Sequence, residues 1–136
     1  MPAISRWMIR LALTYFMVGI VLGALMLIHK AYPLHPSLWL LLPIHIECTL
    51  FGWIIQLTLG TAYWMLPRFL EGPQRGSKLL AATMVGSLNL GILLVVLEPL
   101  LEGGFPLRLS GRLLELLAVV LFVALHWNRI VTYRNR

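Results

Sequence analysis

Between Leu38 and Leu66 the chain runs for 29 residues with one formal charge, Glu47. A helix rising 1.5 Å per residue outgrows a bilayer core of about 30 Å over that length, so such a segment must tilt, bend or project beyond the lipid. Three other segments approach the same requirement. Trp7–His29 contains 18 charge-free residues, Leu11 to Ile28, too long for a signal-peptide core and without an A-x-A-like cleavage site after it. Leu79–Leu97 is uncharged throughout. The fourth segment, 110–130, has only 13 charge-free residues from Leu116 to Asn128 and needs Arg112 and Glu115 at its mouth. Three residues apart, those two can pair on one helix face. Turn-forming stretches separate the runs: Pro33 and Pro36 after Lys30, the Pro67–Arg68 exit with the polar turn Glu71–Lys78, and Glu98–Pro99.

This layout predicts an all-α fold, a four-helix integral membrane bundle in one domain over 1–136, with spans near 7–29, 38–66, 79–97 and 110–130. A 60% hydrophobic content and a mean hydropathy of +0.86 exclude an ordinary soluble protein. The isoelectric point near 10.3 does not point to nucleic acid, because the cations cluster at span ends instead of forming a solvated basic face. Eight of them fall on the side of the termini (Arg6, Arg10, Arg68, Arg75, Lys78, Arg129, Arg134, Arg136) and three on the other (Lys30, Arg108, Arg112). The positive-inside rule then gives an up-down-up-down chain with both termini cytoplasmic, in the inner membrane of the cell and surrounded by membrane lipid. The lone cysteine, Cys48, allows no intramolecular disulfide and reads as a small packing residue.

The second run carries the most chemistry. On a 3.6-residue helix His45, Thr49, Gly52, Gln56, Gly60 and Tyr63 fall on one side, a stripe of polar and small residues that lipid does not favour. It should turn inward, where glycines admit another helix or a flat cofactor. His45 lies well below the helix start, and an ionisable group at that depth is either a functional site or a neutral hydrogen-bonding link between helices. Imidazole is also a standard axial ligand of haem iron. Glu47 points to a different face. It could stay protonated, pair with a cation or histidine of another chain, line a proton path, or simply snorkel outward.

The stretch His45–Ile46–Glu47–Cys48–Thr49–Leu50–Phe51–Gly52–Trp53, continuing through Gly60–Thr61–Ala62–Tyr63–Trp64–Met65–Leu66–Pro67–Arg68, resembles the second helix of haem-copper oxidase subunit I and of the related nitric oxide reductases. In that family a histidine early in the helix binds the low-spin haem, and a glycine and an aromatic-x-x-Pro exit follow. The resemblance covers about 25 residues. It implies haem b with His45 as an axial iron ligand, and Gly60, Trp64 and Pro67 at the glycine and exit positions. Gly52, Gln56, Gly60 and Tyr63, further along the stripe, would then border the cofactor. The family's further histidines and its roughly twelve helices are missing, so copper and a complete oxygen-reducing centre are not expected from a single chain.

A second axial ligand is less defined. His29 ends the first span on the side of His45 and is the candidate partner, with an interfacial role beside Lys30 as its alternative. His35 reads as a loop residue. His126 should lie near the opposite membrane face, about 15 Å from His45 in depth. A homo-oligomer, dimer or trimer, could instead bring His45 from several copies together, and Gly19 with Gly23 in the first span and Gly86 with Asn89 in the third offer close contacts. The function expected is electron transfer or redox or gas sensing, with a respiratory complex or an electron donor as partner. The alternatives are a cofactor-free accessory or assembly subunit of such a complex and, less favoured, a small transporter or channel using Glu47, Gln56 and Glu98. The five tryptophans mostly mark span ends, as interfacial indoles do.

Overall fold

The computed structural model describes residues 1–66, 76–101 and 106–134, with side chains of the last helix described as far as Trp127. The expected exit at Pro67–Arg68 and all of the polar turn before Gly76 lie outside these residues. Among the described residues the structure is about 90% helix without strands, and four helices are long and apolar enough to cross a membrane. We label them α1 (Ala3–Ala31), α2 (Pro36–Met65), α3 (Lys78–Leu100, its last turn a 3-10 turn over Glu98–Leu100) and α4 (Leu107–Arg134).

The ends follow local chemistry. At the close of α1 the Tyr32 N–H donates to the Ile28 carbonyl at 2.8 Å before Pro33 prevents continuation. Ser77 caps α3, its hydroxyl accepting from the Leu80 N–H, and Gly76 before it supplies the positive φ of 77° that the approach needs. α1 and α4 run several residues past the expected limits of 7–29 and 110–130, because a helix need not stop where the hydrocarbon does.

α2 departs most from the uniform helix read in the sequence. It opens as a 3-10 turn at Pro36–Leu40, is α-helical over Leu41–Glu47, winds as a π-helix over Cys48–Ile55 and returns to α over Gln56–Met65. The wide turns begin directly after Glu47, and Thr49 supports them by donating its hydroxyl to the His45 carbonyl at 2.8 Å. π turns inside longer helices recur at functional positions.

The helices associate as two antiparallel pairs, α1 with α2 and α3 with α4, which then pack together. Lipid gives two apolar helices no hydrophobic reason to separate from it, so close approach and polar links must supply the affinity. α1 and α2 meet through glycines. A Cβ on Gly19 would stand 2.5 Å from Thr49 Cγ2, one on Gly23 2.9 Å from His45 Cε1, one on Gly52 2.5 Å from Tyr15 Cγ and one on Gly60 2.8 Å from Met8 Cβ. The Gly19 and Gly23 pair, expected to serve contacts between copies, is thus filled by the chain's own second helix. Gly86 meets nothing within 4 Å. α3 and α4 cross at Gly91 and Gly111, where a Cβ on either would come within 2.8 Å of the other's carbonyl oxygen. The shared core of the two pairs includes Met8, Leu59, Tyr63, Met84, Leu88 and Ala118. The outward surface is apolar, with residues such as Met17, Leu27, Leu79 and Trp127 widely exposed, as a lipid-facing shell would be.

Candidate functional site

All of the sequence-derived stripe faces protein. His45, half-buried, donates its Nδ1–H to the Gly19 carbonyl at 2.8 Å, and its ring lies against Gly23. Thr49 packs on Gly19 and Gly52 on the Tyr15 ring. Gln56, fully buried, donates from Nε2 to the Met8 carbonyl at 3.3 Å, and Gly60 receives Met8. Tyr63 is buried against His126, ring centroids 5.6 Å apart. The inward turn holds along the whole stripe. Its occupant from Thr49 to Gly60 is the first helix, so Gly52, Gln56 and Gly60 serve helix packing here.

The four histidines divide by the proton each ring nitrogen must carry. A backbone carbonyl can only accept, so Nδ1 of His45 is protonated and the lone pair of the neutral ring is left at Nε2. Metal-ligating histidines commonly hold this arrangement, the far nitrogen donating to a backbone carbonyl or carboxylate. His126 has the same form, its Nδ1 donating to the Phe122 carbonyl at 2.7 Å. His29 has the opposite one: its Nδ1 accepts from the Leu34 N–H at 3.0 Å, which puts the proton on Nε2. It is buried and sets its ring edge-on to Trp39. His35 caps the first turn of α2, accepting from the Ser37 N–H. His29 therefore supports the connection between α1 and α2 in a form unsuited to binding iron through Nε2. His126, packed at Tyr63, lies 18 residues of helix from His45, roughly 25 Å once the shorter rise of the π turns is allowed for.

Glu47 does not snorkel, and its partner lies in the same chain. Only 1% exposed, it accepts two hydrogen bonds from Arg112 on α4, at 2.7 and 3.3 Å. Arg112 also donates to Glu115 at 2.6 Å, the three-residue pairing expected from spacing, and its guanidinium lies 4.5 Å above the Phe51 ring. Nearer the end of the bundle Arg108 pairs with Glu98 at 2.7 Å. Cys48 is buried beside Glu47. The Glu47 link to α4 and the glycine crossing of α3 with α4 were missed in the sequence. A carboxylate alone in a 29-residue span was the available signal for the first, but it does not name a partner 65 residues away.

Among the described residues no group of three or more His, Cys, Asp or Glu is placed to hold a metal ion; haem iron needs only one or two protein ligands. Comparison with models of protein families, with curated proteins and with solved structures finds no match.

Proposed function

We propose that the chain is a haem b-binding membrane protein in which His45 supplies an axial ligand through Nε2. The observation that carries this reading is the Nδ1–H donation from His45 to the Gly19 carbonyl, which orients the ring and leaves Nε2 its lone pair. The half-buried ring leaves His45 open to a group arriving from outside the α1–α2 pair. Gly23 adds room, since any side chain there would press on the imidazole. Haem held at this position would supply reversible one-electron chemistry, in keeping with electron transfer or redox or gas sensing. His29 is not assigned the other axial position. The reading places a second copy's His45 there instead, which makes a homo-oligomer part of the proposal. Eight cations on the side of the termini against three on the other support cytoplasmic termini and a site in the outer half of the cytoplasmic membrane.

One observation favours a second reading. Tyr15 and Met8 fill the glycine notches of α2, and a histidine donating to a backbone carbonyl is sufficient as a helix link without any cofactor. The chain would then be an accessory subunit packed on a larger respiratory complex.

Absorption spectra of protein purified from haem-supplied membranes separate the two. The haem reading expects a Soret band with sharp reduced α and β bands, lost in His45→Ala and kept in His29→Ala. Colour unchanged in the folded His45→Ala protein would remove the ligand assignment, and a colourless, fully helical parent protein would favour the accessory subunit. Native mass in detergent gives the number of chains.

A further inference from the structure

The face that α1 turns away from the bundle changes character along its length. Arg6, Arg10, Leu13, Met17 and Ile20 follow one another at spacings of four, three, four and three, so they stand in one ridge, and all are exposed. They lie opposite the buried line of Met8, Ala12 and Gly19. The ridge therefore begins with two cations and continues with apolar side chains alone. From Arg10 to Ile20 it rises about 15 Å, half of a hydrocarbon core of about 30 Å. Trp7, widely exposed, stands beside the cations with the Arg10 guanidinium 5.8 Å from its ring centroid, and indoles of this kind settle at the membrane interface.

Among the described residues no carboxylate neutralises the two guanidiniums: Glu47, Glu98 and Glu115 are bound to Arg112 or Arg108. Like charges four residues apart on a helix repel, so an anion seated between them removes a cost as well as making bonds. A second copy docked ridge to ridge would instead bring four guanidiniums together. A phospholipid answers both halves of the ridge, with phosphate at the cations and an acyl chain along the apolar part. A net negative headgroup suits it better than a zwitterionic one, because a choline ammonium would carry another positive charge to a place that already holds two.

We propose that this ridge of α1 binds one anionic phospholipid, its phosphate held between the guanidiniums of Arg6 and Arg10 and one acyl chain laid along Leu13, Met17 and Ile20. Guanidinium suits the task, since its fixed fork of N–H donors meets phosphate oxygens in pairs. The Trp7 indole marks the level of the headgroup. The site belongs to the leaflet at the N-terminal end of α1, and it stands whether or not His45 binds haem.

Native mass spectrometry of the full chain, released from micelles that carry equal amounts of phosphatidylglycerol and phosphatidylcholine, tests this directly. The parent should keep one phosphatidylglycerol in preference to phosphatidylcholine. The double variant Arg6→Gln, Arg10→Gln should weaken that retention about 25-fold, roughly fivefold for each cation withdrawn from an anionic lipid. Lys78→Gln, which removes the cation that opens α3, should leave it unchanged. Both arginines are exposed, and circular dichroism verifies that the double variant keeps its helices. A parent that retains the two lipids equally overturns the site without recourse to any variant. So does a helical double variant that holds phosphatidylglycerol as the parent does, or an equal loss in Lys78→Gln, the mark of a diffuse basic surface instead of a seat for one lipid.

Discussion

Arg112→Leu should destabilise the bundle by at most about 3–5 kcal/mol, the cost of stripping a buried charge of its partner, and by less to the extent that the 41% exposed Arg112 side chain is itself outside the interior. The loss arises mainly on the carboxyl side. Glu47 and Glu115 are almost entirely enclosed, and each loses its charged donor in the variant. The triple replacement Glu47→Gln, Arg112→Leu, Glu115→Gln should recover most of the lost stability, because it removes the buried charges together. Unfolding in mixed micelles of increasing SDS content, followed by tryptophan fluorescence, measures both. An Arg112→Leu protein within about 1 kcal/mol of its parent would mean that the cluster does not hold α2 against α4.

The second large effect is expected at Gly91. An alanine Cβ there would stand 2.8 Å from the Gly111 carbonyl oxygen, 2.9 Å from Glu115 Cγ and 3.1 Å from Glu115 N. Two of those atoms are backbone, so no side chain can swing aside and α3 must move away from α4. Overpacking of this kind costs about 1–3 kcal/mol, and Gly91→Leu should exceed Gly91→Ala. Gly86→Ala, five residues earlier on the same helix, should stay within about 0.5 kcal/mol of the parent, since its Cβ would enter open space. Thermal unfolding of the three variants in one detergent provides the comparison. Equal tolerance at Gly86 and Gly91 would contradict the tight crossing.

The four spans were legible because charge-free runs of such length leave few alternatives, and prolines and polar turns punctuate them. The inward direction of the His45–Tyr63 stripe was legible for a similar reason: lipid has no use for Thr49, Gln56 or two glycines. What filled it was not. A glycine states that something comes close without saying whether it is the Tyr15 ring, the Met8 side chain or a porphyrin. The π turns over Cys48–Ile55 left no mark either, because a stretch whose only polar side chain is Thr49 carries little information about its own winding. Spacing revealed the Arg112–Glu115 pair, which belongs to one helix. The bond from Arg112 to Glu47 depends on how distant segments assemble, and only the folded chain displays it. Hydrogen-bond direction likewise separated His45 from His29, two histidines that the sequence offered as partners.

The connection between Glu47 and Arg112 also bears on how such a protein is made. Synthesis delivers α2 before α4, so the acidic residue is already lodged in lipid when the later segment emerges from the ribosome. An arginine at the centre of a bilayer costs about 2.5–3.5 kcal/mol on insertion scales; Arg112, near the start of its helix, costs less than that, and Glu115, travelling on the same segment, offsets part of it. Full relief waits for docking onto the earlier hairpin. For helices that cross a membrane, integration of the last segment should therefore be cooperative with the first half of the chain, and a truncated product lacking the first two helices should be retained poorly by the insertion machinery.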